Sequence, residues 1–322
     1  MIATYQQAFL AYLEENLHKK TPRTLYDPAN YILGLGGKRI RPVLALLAAD
    51  AVGNEIQKAL PAALAVEVFH NFSLVHDDIM DEAPLRRGKP TVHEKWNTNT
   101  GILSGDVMLV MAYECLNNYQ PALFAELTQL FSKTAREVCE GQQYDMDFPT
   151  QERVSQEEYL KMIRLKTAVL LGCSLQMGAM IGGLSCSESE AFYAFGIQLG
   201  LAFQLQDDYL DAFGDSATFG KQVGGDIIEN KKTLLYLLAL EKGDAEQRST
   251  LEELFTTTPE DSMEKIQKAK AIFRATGADS AIQALIETYT QNALKEVQNF
   301  RVSSEKKAVF KAFALQLMER KL

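Results

Sequence analysis

Residues 67–81 read EVFHNFSLVHDDIMD, and residues 203–215 read FQLQDDYLDAFGD. Each stretch places Asp-Asp-x-x-Asp at the end of a long segment whose apolar residues recur at helical spacing. In a helix, positions i, i+3 and i+4 share a face. Asp77 and Asp81 therefore project together with Asp78 close beside them, and His70, two turns earlier, joins that face. In the second copy Gln204, Asp207, Asp208 and Asp211 do the same. Three carboxylates on one face repel each other, and a helix C-terminus disfavours negative charge further. Such a cluster calls for cations. Oxygen ligands without cysteine select a hard ion, and Mg²⁺ typically takes a few carboxylates plus substrate phosphates. One copy alone reads equally well as a solvated acidic helix end; two copies behind long apolar segments turn the reading toward metal. Neither copy has the glycine or the closing glutamate of an EF-hand loop.

The same period runs outward to both ends of the chain. Ile2, Tyr5, Phe9, Tyr12 and Leu13 form one stripe, and Phe310, Phe313, Leu317 and Met318 form another. No alternating run of β-branched residues is long enough for a sheet. None of the nine prolines lies between Pro149 and Pro259; elsewhere they read as helix entries, at Pro28 and Pro61, or as loops from Pro84 to Pro90. No Gly/Ser linker divides the 322 residues. The expectation is an all-α protein of one domain, residues 1–322, with roughly ten to a dozen helices.

Composition narrows the function. The net charge of −9, from 33 basic and 42 acidic residues, argues against a nucleic-acid partner. Ile2 to Leu17 mixes polar and apolar positions, so no secretory leader is predicted. Thr167 to Leu184, the most apolar stretch, is interrupted by Ser174, Gln176 and glycines, and reads as a buried helix and not a transmembrane one. Cys115, Cys139, Cys173 and Cys186 lack metal spacing and read as reduced core residues of a cytoplasmic protein.

Metal-binding carboxylates imply an anionic ligand, and matching cations are present. GGKRIRP at 36–42 is a glycine turn with three positive side chains ahead of a helix, and LRRGKPTVH at 85–93 is a basic loop just after the first acidic cluster. Arginine suits bidentate phosphate contacts and lysine point-charge neutralisation. Lys166-Thr167, Lys221 and Lys231 form a third set. A single Lys/Arg pair is usually a solvated surface; its pairing with Asp77, Asp78 and Asp81 gives the Arg86-Arg87 loop its meaning. His93 and Trp96 read as packing residues, and His76 is left unassigned.

Together with LKTA at 165–168 and GKQVGGDIIENKKT at 220–233, these blocks make the chain resemble the trans-polyprenyl synthetase family, which includes farnesyl and geranylgeranyl diphosphate synthases. The resemblance spans nearly the whole chain. It implies an isoprenoid synthase helical bundle around a central catalytic cavity, a homodimer, and a prenyltransferase that condenses isopentenyl diphosphate with an allylic diphosphate (dimethylallyl, geranyl or farnesyl). It implies three Mg²⁺ ions, with Asp77, Asp81 and Asp207 as direct ligands and Asp78, Asp208 and Asp211 in support. Arg86, Lys166, Lys221 and Lys231 would hold the allylic diphosphate; Lys38, Arg41, His70 and Arg87 would hold isopentenyl diphosphate. Thr167 and Gln204 match positions that stabilise an allylic cation.

Two alternatives follow from the same motifs. A class I terpene cyclase shares the first motif, but its second normally mixes Asn, Ser or Thr with an acid, where this chain has DDYLD. A silent regulatory subunit would be expected to have lost carboxylates that are intact here. Product length turns on Ser73 and Phe72, four and five residues before Asp77 and so roughly 6–7.5 Å deeper along the helix. In the family, aromatics at both positions stop growth at fifteen carbons and small residues at both allow long chains. One of each, without an insertion in DDIMD, points to geranylgeranyl diphosphate, with farnesyl diphosphate as the alternative.

Overall fold

The stripe predicted for the N-terminal segment is the one it buries: α1 (Ile2–Asn16) turns Tyr5, Phe9 and Leu13 inward. The computed structural model describes residues 2–17, 20–214, 224–257 and 262–319. It is 79% helical with almost no strand, so the all-α expectation holds. The predicted Lys221 lies outside the described residues.

The chain parts into two compact units. The first comprises Met1–Thr134, Leu170–Tyr193 and Arg301–Ser303. After α1 it contains α2 (Arg23–Gly34), α3 (Ile40–Gly53), α4 (Ile56–Met80), α5 (Val92–Lys95), α6 (Thr98–Leu116), the start of α7 (Pro121–Asp147) and most of α9 (Val169–Ile181). From Ala59 to Phe69 nearly every residue of α4 is buried, as befits a helix that is apolar all round. Pro28 and Pro61 lie inside α2 and α4 and not at their entries, because both helices begin about a turn earlier than the prolines suggest. Near Pro61 the Tyr119 hydroxyl donates to Lys58 O at 2.8 Å and accepts from Ala62 N at 3.1 Å, which satisfies main-chain groups in the disturbed turn.

One short ladder was not predicted. Leu85–Arg86 (β1) pairs antiparallel with Lys89–Pro90 (β2). Arg87 and Gly88 between them have φ of 53° and 72°, the pair of positive values that a type I′ hairpin requires. His93 and Trp96 pack as predicted: Trp96 meets Tyr31 edge-on at 5.3 Å, and His93 is half-buried. The cysteine expectation holds for Cys173, which is buried, but Cys139 and Cys186 are exposed; small apolar residues carry no signal that separates core from surface.

The second unit comprises Ala135–Val169, Ala194–Phe300 and Ser304–Leu322. It holds the end of α7, α8 (Gln156–Ile163), a π-turn at Arg164–Ala168, most of α10 (Glu190–Phe213), α11 (Gly225–Ile228), α12 (Leu234–Lys242), α13 (Ala245–Leu254), α14 (Ser262–Ala275), α15 (Ala278–Glu296) and α16 (Ser304–Met318). A capping box of Ser155 and Glu158 starts α8. Phe195, Phe300 and Phe310 meet edge to face at 5.0–5.9 Å, and α16 buries the predicted Phe310 and Phe313. No described helix is long and apolar enough to cross a membrane.

Candidate active site

In the first unit, α4 presents its acidic cluster in its final turn, with Asp81 as C-cap. Asp78 is 1% exposed, and Arg86 holds it as a fork, Nη2 at 2.6 Å from Oδ1 and Nε at 2.7 and 2.9 Å from the two oxygens. Asp77 remains 16% exposed, 3.5 Å from Arg86 Nη2. The hairpin explains this: it turns the chain back so that Arg86, on β1, returns to the helix end. Burial works against the Arg86 charge, but Asp78, Asp77 and Asp81 outweigh it and hold the guanidinium above its ordinary range.

The glycine turn gathers a cluster of cations in the same unit. Gly36 and Gly37 have φ of 81° and 121°, and a Cβ on Gly37 would stand 2.9 Å from Arg87 Cζ. Arg87 donates to Gly36 O through this gap. Arg39 turns inward, pairing with Glu67 and donating to Leu33 O. Arg41 is pushed down to about 10 by burial, opposed by Glu67 and assisted by Arg87, and its buried Nε has no hydrogen-bond partner. His70 is driven well below its ordinary value by burial and then by Arg41, Arg87, Arg86 and Arg39. Arg41, His70 and Arg87 thus come together as predicted, with Lys38 exposed on the adjoining turn. An unpartnered buried guanidinium N–H among repelling cations is a site that an anion would relieve.

Phe72 is nearly buried, its ring 5.5 Å from Phe69 and 4.9 Å from His76. Ser73 is partly buried, like Asp77, and donates to His70 O at 2.8 Å.

The second unit encloses a cavity of about 140 Å³ whose walls include Lys166, Thr167, Gln204, Asp208 and Lys231, all predicted. Three side chains are linked in series. Thr167 Oγ1 donates to Gln204 Oε1 at 3.1 Å, and Gln204 Nε2 donates to Asp208 Oδ1 at 3.0 Å. Tyr159, which no sequence signal marked, donates to Asp208 Oδ2 at 2.5 Å. Burial, then Asp226 and Asp207, push Asp208 up to about 8 against the pull of Tyr159 and Gln204. Lys166 donates to Asp145 at 2.6 Å, and Lys231 lies 2.8 Å from Glu229 and 3.9 Å from Asp226. Asp211 accepts from the Asp226 amide at 3.0 Å. Asp226 sits within the 220–233 block, between two predicted lysines, and that spacing was its signal; Asp145 and Tyr159 meet the site across helices and had none.

The π-turn that carries Lys166 and Thr167 is tightly enclosed. A methyl group on Gly141 of α7 would overlap the Lys166 amide nitrogen, and one on Gly200 of α10 would stand 2.6 Å from Ala168 Cα. Widened turns of this kind are rare and occur often at functional sites.

Among the described residues no three His, Cys, Asp or Glu side chains form a ready-made metal cage. The donor set, all carboxylate, suits a hard ion that fills its remaining positions with water and substrate oxygens.

The sequence profile of the polyprenyl synthetases matches residues 22–273. The chain belongs to this family. This polyprenyl synthetase is 43% identical over 235 residues, 72% of each chain, to the geranylgeranyl diphosphate synthase of Methanosarcina mazei. A solved geranylgeranyl pyrophosphate synthase matches 100% of it, and 99% of its own chain, with a TM-score of 0.96 and 51% identity. The Pyrococcus horikoshii geranylgeranyl pyrophosphate synthetase matches 99% of it, and 98% of its own chain, with a TM-score of 0.91 and 33% identity.

Proposed function

We propose that this polyprenyl synthetase condenses isopentenyl diphosphate head-to-tail with an allylic diphosphate, and that geranylgeranyl diphosphate is its main product. The observation that carries the reading is the cavity of the second unit, where Lys166 and Lys231 share walls with Asp208 and Asp226 and with the apolar Phe148, Met162 and Ile163. Such a cavity suits a diphosphate at one end and a hydrocarbon at the other.

The chemistry follows from charge. Lys166 and Lys231, with Lys221 from outside the described residues, take up the negative charge of the departing diphosphate. Thr167 spends its proton on Gln204, so its remaining lone pairs are available to an allylic cation. The link through Gln204 to Asp208 fixes the amide's orientation. Phe148, Met162 and Ile163 exclude the water that would quench the cation. The alkene of isopentenyl diphosphate, held by Lys38, Arg41, His70 and Arg87, forms the new carbon–carbon bond. One proton is then lost, and the released diphosphate accepts it. Asp77, Asp81 and Asp207, with Asp78, Asp208 and Asp211 in support, would hold three Mg²⁺ ions, which would supply neutralisation of the leaving group. The two compact units act in this reading as one catalytic domain. The exposed Ile102, Leu103 and Val110 on α6 support packing against a second copy.

Steady-state kinetics with each substrate varied test the division of labour. Arg41→Ala should raise KM for isopentenyl diphosphate, and Lys166→Ala should impair the allylic partner. Equal effects on both substrates from both variants would overturn the assignment.

A further inference from the structure

The mechanism leaves Lys232 without a task. In sequence it merely extends the positive charge of Lys231. In the structure its ammonium donates to main-chain carbonyls: Gln151 at 2.5 Å, Phe148 at 3.1 Å and Pro149 at 3.5 Å. These carbonyls belong to the turn leaving α7, where a helix ends with C=O groups that have no intrahelical partner and with partial negative charge. Two adjacent lysines therefore do different things: Lys231 pairs with carboxylates, while Lys232 binds backbone.

A second lysine holds the same segment. Lys265 of α14 is 2% exposed. Its ammonium donates to Asn230 Oδ1 at 2.5 Å, Thr257 O at 2.8 Å and Ile228 O at 3.5 Å, partners that a buried ammonium requires. Asn230 has a φ of 59°, in the left-handed region that asparagine tolerates better than most residues. The segment is thus tied to α14 through the Ile228 carbonyl and the Asn230 side chain, and to the end of α7 through the Lys232 side chain, with Lys231 between the ties. Lys265 lies away from the cavity, and Lys232, although it shares the cavity wall, has its ammonium taken up by the three carbonyls.

We propose that Lys232 and Lys265 are positioning residues that fix the backbone on both sides of Lys231 and so hold its ammonium in the cavity for the allylic diphosphate. The inference rests on the proposed function in one respect, that Lys231 is a diphosphate ligand. Misplacing such a group by about an ångström can cost on the order of a hundredfold in rate.

The test is a double-mutant cycle on the full chain with Mg²⁺, geranyl diphosphate and isopentenyl diphosphate. It compares the native protein, Lys231→Ala, Lys232→Met and the double variant, with amide hydrogen exchange of residues 228–233 followed without substrate. Lys232→Met should lower kcat/KM for geranyl diphosphate roughly ten- to a hundredfold and leave the isopentenyl diphosphate KM within about twofold. Coupled residues act as a unit, so adding Lys232→Met to Lys231→Ala should cost about nothing more. Exchange across 228–233 should accelerate in Lys232→Met. An equal loss in both backgrounds would mean that Lys232 meets the substrate itself, and unchanged exchange would mean that it ties nothing down; either result overturns the proposal. Lys265→Met should accelerate the same amides, and if it does not fold, Lys232→Met decides alone. Should the native protein fail to join the two substrates, the proposed function falls, while the exchange comparison still decides the tie.

Discussion

Asp78 gives both its oxygens to Arg86, whereas its neighbour Asp77 keeps 16% of its side chain exposed at the end of α4. The two should respond differently to alanine. Asp77→Ala removes one member of a repelling cluster and should lower turnover by several orders of magnitude without lowering the melting temperature. Asp78→Ala leaves Arg86 without its fork partner and should cost about 2–3 kcal/mol of stability, toward the low side for a buried pair because Arg86 is partly exposed. Denaturant melts and turnover assays of both variants check this, and equal destabilisation would contradict it. Product length is also a matter of single residues. Phe72→Ala should lengthen products and Ser73→Phe shorten them, since packed pockets tolerate little added volume. Chromatography of the dephosphorylated products would show it, and an unchanged distribution in both would place the floor elsewhere. The carboxylates could be read from sequence because the helical period aligns them. The burial of Arg39 could not, because its partner Glu67 lies on another helix and charge pattern does not tell which of three neighbouring cations turns inward.

Among the elements, the π-turn at Arg164–Ala168 matters most for the site. Consecutive residues of a regular helix diverge by about 100°, yet Lys166 and Thr167 both line the cavity. The space for the widened turn comes from Gly141 and Gly200. Gly141→Ala should therefore lower turnover by about tenfold or more while the far-ultraviolet circular dichroism stays helical. Unchanged kinetics would show that the turn tolerates displacement. Amphipathic helices such as α1 were readable because their buried residues, Tyr5, Phe9 and Leu13, recur at the 3.6-residue period. The π-turn was not, since it depends on the absence of side chains on two helices distant in sequence. The contacts of Lys232 escaped for a related reason: they go to carbonyl oxygens, which every residue has and no motif records.

For the whole molecule, a net charge of −9 coexists with a local gathering of Arg39, Arg41, Arg86 and Arg87 around His70. Bulk charge argues against a nucleic-acid partner but is silent about an anion site; only the ordered motifs point to one. Each compact unit carries its own group of cations, one around Arg41 and His70, the other lining the cavity with Lys166 and Lys231. A two-substrate condensation would make use of both, whereas a cyclase, which takes one diphosphate, would not need the first. The most direct measurement is to incubate the purified chain with Mg²⁺, isopentenyl diphosphate and dimethylallyl, geranyl or farnesyl diphosphate in turn, then size the dephosphorylated products. Metal-dependent elongation by five-carbon steps, accumulating the twenty-carbon alcohol, is the expected result. Release of diphosphate from the allylic substrate alone, with a cyclic hydrocarbon and no incorporation of isopentenyl diphosphate, would contradict it.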